Sequence, residues 1–273
     1  EDDQSILRRY DDMQLVSEIQ QAIDGRGLEL MAQPITCLTG KTANPRFEVL
    51  LRMVDSQGEK VETGALFSAA ERYRLMPQID RWVVSSTIAV LVAVRELLEE
   101  QSGIISINLS GQSLGDKEIL KFIEEELAAS GLPASCLCFE VTESEAVSNL
   151  GKAQTFLQQL HDRGCAIALD DFGAGLSSFA YLKNFRVDFL KIDGSFIRDI
   201  EANRISESMV AAITQVAQVM ELETVAEYVV TEEARELVTR LGVDFAQGHA
   251  IGEPVPIADV LDELTKSEAA SAS

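Results

Sequence analysis

Two adjacent carboxylates, Asp170 and Asp171, follow a short apolar strand predicted over residues 166–169 and lead into a glycine-containing loop. Carboxylates this close together repel each other strongly unless a positive charge or a shared proton lies between them. A divalent metal ion and a shared proton are therefore the two simplest interpretations. If other strands bring acidic groups to the same place, a metal ion becomes the better explanation.

Polar side chains also occupy the ends of the other predicted strands. One acid after a strand is most often a helix N-cap, but independent caps do not readily explain so many polar strand ends. In a barrel of parallel strands, the ends where apolar residues give way to loops share one face, and that face carries catalysis. These strand-end residues are Glu48, Asn108, Glu140, Asp170, Asp171, Lys191, Glu227 and Gln247.

The donor types in this set indicate which metal ions they would bind. Five carboxylates and one Asn, with no set of His and Cys ligands, favour Mg²⁺ or Mn²⁺ over zinc. Five carboxylates exceed what one ion needs, so two ions bridged by one aspartate fit better, and such pairs activate water for attack on a phosphoester. Lys191 would then hold that water or stabilise developing charge; alternatively, it only neutralises the acids.

The elements that must position these residues alternate regularly along the chain. Residues 28–35 and 47–53 are predicted to be strands, and helical patterns follow over 65–73 and 79–100. Beyond residue 101, repeated strand–helix units predict a parallel sheet, and their number predicts an α/β fold closed into a TIM-like (β/α)₈ barrel with room for one antiparallel strand near the start. The later strands are predicted at 104–109, 137–141, 166–169, 189–192, 224–226 and 245–247.

The chain divides into three predicted segments. Residues 1–24 form a charged amphipathic pattern, which indicates a linker helix from an upstream sensory or cyclase-like domain. Residues 25–265 form the barrel, because no linker rich in Pro, Gly or Ser interrupts them. Residues 266–273 are mostly small residues and are predicted to be a disordered tail.

Charge and hydropathy exclude some partners. The net charge of −22 over 273 residues argues against a nucleic-acid polymer or an anionic membrane as the main partner. A small phosphate ester remains compatible if metal ions supply positive charge. Apolar runs stay well short of the roughly 20 residues of a membrane span. We therefore expect a cytoplasmic domain that makes no membrane contact itself, although the parent protein could still be membrane-anchored.

The motifs, taken in order, resemble those of EAL domains, the bacterial cyclic di-GMP phosphodiesterases. Glu48-Val-Leu-Leu-Arg52 is similar to the family signature, in the variant with Val in second place. The resemblance extends over residues 12–262. The other matching motifs are Gln33-Pro-Ile35, Ile79-Asp-Arg-Trp82, Asn108-Leu-Ser110, Glu140-Val-Thr-Glu143, Asp170-Asp-Phe-Gly173, Lys191-Ile-Asp193, Ala226-Glu227 and Gln247-Gly248.

The resemblance implies a barrel that hydrolyses cyclic di-GMP to linear pGpG with two Mg²⁺ or Mn²⁺ ions. It implies a first ion held by Glu48, Asn108, Glu140 and Asp170, and a second held by Asp170, Asp171 and Glu227. Lys191 would contact the catalytic water. The residues expected to contact the dinucleotide are Gln33, Arg52, Asp80 and Gln247.

The family pattern also implies a homodimer, in which Glu143 anchors the loop 171–178 that couples dimer contacts to metal binding. The chain departs from the pattern at Tyr228, Val230, His249 and Glu253, none of which is an expected metal ligand. Two other hypotheses remain: a non-catalytic cyclic di-GMP receptor that signals to a partner domain, and an unrelated metal-dependent phosphodiesterase. The complete set of expected metal ligands favours the enzyme.

Overall fold

The computed structural model describes residues 2–25, 27–40, 44–174 and 179–271, and its architecture is a closed eight-stranded barrel surrounded by helices. The predicted α/β barrel is therefore confirmed. Seven strands run parallel to one another in chain order. The strands are β1 (Leu28–Cys37), β2 (Arg46–Met53), β3 (Ile104–Asn108), β4 (Leu137–Thr142), β5 (Ala166–Phe172), β6 (Phe189–Ile192), β7 (Glu223–Ala226) and β8 (Phe245–Gln247), with a two-residue β9 (Val255–Pro256).

The first strand closes the barrel and runs against its neighbours. Its first part pairs antiparallel with β2, with Gln33 opposite Glu48, and its last residues pair antiparallel with β8, with Ile35 opposite Gln247. The expected antiparallel strand near the start is thus confirmed. Because β1 pairs with both β2 and β8, the first and last of the parallel strands, side chains from these three strands meet at one point of the barrel.

Helices connect the strands, and six of them begin at a side chain that caps the free backbone amides. Asp116 accepts a hydrogen bond from the amide of Glu118, and Thr231 accepts one from that of Ala234. Short 3₁₀ turns span Val92–Val94 and Ala134–Cys136. The helices are α1 (Asp2–Asp24), α2 (Thr63–Arg72), α3 (Met76–Leu91), α4 (Arg95–Glu100), α5 (Lys117–Ser130), α6 (Glu143–Ser148), α7 (Leu150–Asp162), α8 (Phe179–Leu182), α9 (Gly194–Ile197), α10 (Arg204–Val219), α11 (Glu232–Arg240) and α12 (Ile257–Ser271).

Apolar side chains form two layers of core. The larger lies between the barrel and its helices, where the inner faces of α2, α3, α5, α7 and α10 are buried. The smaller lies inside the barrel and contains Ile35, Cys138, Ala168, Phe189, Val225 and Phe245. This inner layer fills one end of the barrel and leaves the carboxyl ends of the parallel strands to the polar residues.

The structure differs from the sequence-based expectations in three places. The helix predicted over 79–100 is broken by the 3₁₀ turn, so it becomes α3 and α4. The strand predicted to stop at residue 169 continues to Phe172 through a bulge, and therefore includes both aspartates. The last helix reaches Ser271, inside the segment 266–273 that was predicted to be disordered; its small residues include helix-favouring alanines.

Gly248, which follows β8, is the tightest backbone approach near the polar end of the barrel. It has φ +147°, and a Cβ atom there would lie 2.3 Å from the carbonyl oxygen of Val229. Gly58 also has a positive φ, +84°, but a Cβ there would meet nothing within 4 Å. Substitutions at these two glycines can therefore distinguish the effect of backbone strain from that of steric overlap.

We predict that Gly248→Ala lowers the free energy of unfolding by about 3 kcal/mol or more, because backbone strain and overlap with Val229 add together. Gly58→Ala is the matched control and should lower it by only about 1–2 kcal/mol, since it adds strain alone. Urea unfolding of the two variants measures both effects. Equal losses of unfolding free energy in the two variants would show that the backbone at Val229 moves away from the added methyl group at little cost.

Candidate metal and substrate site

Lys191, on β6, lies at the centre of the polar end of the barrel. Its ammonium Nζ is 2.5 Å from Glu140 Oε2, 2.8 Å from Glu227 Oε1, 3.1 Å from Glu48 Oε2 and 3.3 Å from Asp170 Oδ1. Its side chain is 1% exposed. Four strand-end carboxylates from four different strands therefore converge on one buried cation.

The charges of this cluster do not balance. With Asp171 included, five carboxylates surround one ammonium group. Burial lowers the pKa of Lys191, but the four surrounding carboxylates outweigh it and hold that pKa well above its usual value. Burial and the neighbouring acids raise the pKa of Glu140 to about 8, against the opposing effect of Lys191. The cluster therefore holds more negative charge than Lys191 alone compensates, and further positive charge would relieve it.

Glu48 is the carboxylate that the surroundings hold in its ionised form. Burial raises its pKa, but Lys191, Gln247 and Asn108 together lower it further than burial raises it. Asn108 Nδ2 donates to Glu48 Oε1 over 2.6 Å, and Gln247 Nε2 donates to Glu48 Oε2 over 2.7 Å. Gln247 Nε2 also lies 3.1 Å from Gln33 Oε1, so β1, β2, β3 and β8 are tied together at this carboxylate.

The bulge in β5 sets the directions of the two aspartates. Neighbouring side chains of a regular strand point to opposite faces, but Asp171 has φ +52° and the pairing with β6 shifts between Leu169 and Phe172. Both aspartates consequently line the same cavity. Burial, followed by the charge of Asp170, raises the pKa of Asp171 to about 6.

A metal ion fits this group of residues. One carboxylate oxygen from each of Asp170, Asp171 and Glu227 lies within 4.8 Å of the others, among the residues that the structure describes. All three donors are oxygens, the ligands preferred by Mg²⁺ and Mn²⁺. Burial raises the pKa of Asp171 and of Glu227, and the charge of Asp170 raises both further. A cation here would relieve this repulsion.

The predicted site residues fall into two adjoining cavities and the layer beneath them. The main cavity, of about 540 Å³, and the second cavity, of about 350 Å³, share Leu50 as a lining residue. Glu140 and Lys191 are almost completely buried beside the main cavity. The main cavity is lined by Gln33, Glu48, Asp170, Asp171, Glu227 and Gln247, and the second by Arg52, Asp80 and Asn108.

Asp80, on α3, accepts hydrogen bonds from the loop after β3. The amide and hydroxyl of Ser110 and the hydroxyl of Ser113 all donate to Asp80 Oδ2, at 2.6–3.1 Å. No described residue donates to its Oδ1. Burial raises the pKa of Asp80 to about 6, even though these hydrogen bonds lower it. Arg52, in the same cavity, donates from Nη1 to Thr63 Oγ1 over 3.0 Å.

Glu143 lies apart from the two cavities. It is buried at the start of α6, and its Oε2 accepts a hydrogen bond from the amide of Gly173 over 2.8 Å. This hydrogen bond restrains the beginning of the loop after β5. Residues 175–178 of that loop lie outside the described part of the chain.

The sequence profile of the EAL domain matches residues 16–254. The chain belongs to the EAL domain family. It is 38% identical over 246 residues to cyclic di-GMP phosphodiesterase PdeB of Shewanella oneidensis, covering 90% of this chain and 28% of that protein. It is 39% identical over 254 residues to cyclic di-GMP phosphodiesterase PdeF of Escherichia coli, covering 93% of this chain and 33% of that protein. The chain thus spans about a third of the length of these curated relatives.

Solved EAL structures share the fold. The phosphodiesterase PaMucR in complex with cyclic di-GMP superposes with a TM-score of 0.84 at 31% identity, covering 90% of this chain and 99% of that one. The EAL domain of FimX from Pseudomonas aeruginosa, bound to cyclic di-GMP, gives a TM-score of 0.81 at 28% identity, covering 88% of this chain and 96% of that one. The family assignment and the barrel therefore agree.

Several residues that line the main cavity were not singled out as site residues from the sequence. Asp193 lines the main cavity, and its position two residues after Lys191 at the end of β6 is a signal that could have revealed it. Arg198 and Tyr228 also line the cavity. Arg198 follows the short α9 and gives no pattern of its own. Among the described residues, no helix is both long and apolar enough to cross a membrane.

We predict that metal ions stabilise the fold through the aspartate pair. At a Mn²⁺ concentration of about 100 times the Kd, binding would add about 2.7 kcal/mol to the free energy of unfolding and raise the unfolding temperature by roughly 5–10 °C. Asp171→Asn should remove at least half of this shift. Asp262→Asn, an exposed change on α12, should leave it intact. The same shift in both variants would place the ion elsewhere.

We predict that the buried carboxyl of Asp80 makes stability depend on pH. Its pKa is higher in the folded chain, about 6, than the usual 3.8, so folding favours its protonated form and stability is lost as pH rises from 4 to 6. The loss amounts to about 3 kcal/mol above pH 6. Unfolding of Asp80→Asn and the wild type should therefore be compared at pH 4 and pH 7. A stability difference between the two that is the same at both pH values would contradict the raised pKa.

Proposed function

We propose that this chain is the catalytic domain of a metal-dependent phosphodiesterase that hydrolyses cyclic di-GMP to linear pGpG. The observation that carries the proposal is the convergence of Glu48, Asn108, Glu140, Asp170, Asp171 and Glu227 on one end of the barrel. The cavity beside them holds the aspartate pair and adjoins a second cavity that contains Arg52. The identity to named cyclic di-GMP phosphodiesterases supports the choice of substrate.

The proposed cofactor is a pair of Mg²⁺ or Mn²⁺ ions. Glu48, Asn108, Glu140 and Asp170 would hold one, and Asp170, Asp171 and Glu227 the other. The chemistry that such ions supply when bound is activation of a water molecule and neutralisation of charge on the phosphate. The excess of carboxylates over the single ammonium group of Lys191 supports this assignment.

The proposed role of Lys191 is to position the carboxylates and to donate a hydrogen bond to the attacking water. Its Nζ is within 3.3 Å of oxygens on Asp170 and Glu227, so a water held between these two carboxylates would lie close to it. The four carboxylates restrain it on all sides, which keeps the ammonium group fixed. A fixed donor needs little rearrangement as charge develops on the reacting oxygen.

The proposed substrate contacts divide between the two cavities. Gln33 and Gln247 line the main cavity, and Gln247 Oε1 is buried without a partner among the described residues, so it can accept a hydrogen bond from a ligand. In the second cavity, Asp80 Oδ1 remains as an acceptor for a guanine N–H, and the Arg52 guanidinium can donate to a phosphate or to a guanine edge. Formation of a homodimer through the loop 171–178 and a cytoplasmic location stay predictions.

We predict that the purified chain converts cyclic di-GMP to pGpG with Mg²⁺ or Mn²⁺, as measured by chromatographic separation of the nucleotides. Glu48→Gln should reduce turnover by more than about 100-fold, because it removes a charged ligand from the centre of the cluster. Glu125→Gln, an exposed change on α5, is the matched control and should keep wild-type turnover. Binding of cyclic di-GMP without release of pGpG would instead identify a receptor.

A further inference from the structure

Tyr228 holds an unusual position on the wall of the main cavity. It directly follows Glu227, it is 53% exposed, and its φ of +58° is in the left-handed region that large residues rarely adopt. Non-glycine residues in this region cluster at functional sites, because the surrounding structure must hold them there. The structure therefore fixes an aromatic ring beside the reactive end of the barrel.

Two residues at the start and end of α9 hold this ring. The guanidinium carbon of Arg198 lies 3.9 Å from the centroid of the Tyr228 ring. Gly194 packs against the base of the same side chain, and a Cβ atom there would lie 2.9 Å from Tyr228 Cβ. A cation stacked on an aromatic face loses much of its freedom but keeps its N–H edges available.

Arg198 has no charged partner to occupy those edges. It makes no ion pair with any residue that the structure describes, although five acids are among the residues that line the cavity. Arg198 and His249 are the only cavity-lining residues in the described chain that can carry positive charge. The second cavity is not lined by Arg198, so its role is separate from that of Arg52. The planar Arg198 guanidinium, which stacks on Tyr228 and has no ion-pair partner among the described residues, can thus donate hydrogen bonds to a ligand in the main cavity.

We propose that the Tyr228–Arg198 pair selects guanine, with the Arg198 guanidinium donating two hydrogen bonds to O6 and N7 of one base of the cyclic dinucleotide. The proposal rests on the proposed function and adds a specificity-determining residue to it. Guanine presents two acceptors on this edge, which match the two donors of a guanidinium, whereas adenine replaces O6 with an amino group. The pair therefore favours cyclic di-GMP over its adenine analogue.

Base selection distinguishes this role from phosphate binding. Every cyclic dinucleotide carries the same phosphates, so an arginine that contacts only phosphate would bind the guanine and adenine forms equally well. A glutamine in its place would present one donor and one acceptor, the pattern that suits adenine. The variant Arg198→Gln therefore reverses the preference only if the side chain contacts a base.

The test measures KM and kcat for cyclic di-GMP, and the Kd of cyclic di-GMP and cyclic di-AMP, in the wild type and in Arg198→Gln. We expect KM and Kd for cyclic di-GMP to rise 10- to 100-fold, with kcat changed less than threefold and the Kd of cyclic di-AMP unchanged or lower. Arg198→Lys should lose most of the guanine preference despite its charge, because an ammonium group cannot donate in the same paired geometry.

Arg186→Gln is the matched control. Arg186 is an exposed arginine that precedes β6, at the other end of the strand from Arg198, and it should leave every constant unchanged. An equal loss of affinity for both nucleotides in Arg198→Gln would show phosphate binding and overturn the proposal, as would no loss at all. Binding by the wild type without hydrolysis would contradict the proposed enzymatic function. The ratio of the Kd values for the two nucleotides would still test whether Tyr228 and Arg198 select guanine.

Discussion

The polar end of the barrel depends on one buried ammonium group, that of Lys191. It contacts carboxylates in β2, β4 and β5 and the one that follows β7, and it offsets part of the cost of burying them. An isolated buried charge is strongly unfavourable, and a buried pair contributes only if its geometry and hydrogen bonds are good. Asn108 and Gln247 supply those hydrogen bonds at Glu48, so the ion pair and the amides act together.

The same cluster favours cation binding. One positive charge keeps the carboxylates near each other, but it is too little to neutralise them. Burial, with the neighbouring acids, raises the pKa values of Glu140 and Glu227. Oxygen donors that are gathered in advance and insufficiently compensated have a high affinity for cations. Keeping acidic side chains this close together lowers the stability of the fold, and such arrangements are common at functional sites.

The sequence was sufficient to predict the barrel and most members of the cluster. Strand-end placement identified Glu48, Glu140 and Lys191 because parallel strands end on a common face, whatever the details of packing. It did not show that β5 continues through a bulge, since bulges depend on pairing with β6 and leave little trace in composition. Nor did it single out Arg198, whose place beside Tyr228 is set by the short α9 and by the absence of a side chain at Gly194.

The reversed direction of β1 has a consequence for how the chain enters the barrel. Leu28, where β1 begins, pairs with Met53, where β2 ends, so the chain enters the barrel at the end that carries the carboxylates. In a barrel with every strand parallel, it would enter at the opposite end. The helix α1, whose Ile19 is fully buried, leads directly into this entry point. Along the chain, α1 therefore precedes the strand that reaches the rim of the site and whose Gln33 adjoins Gln247.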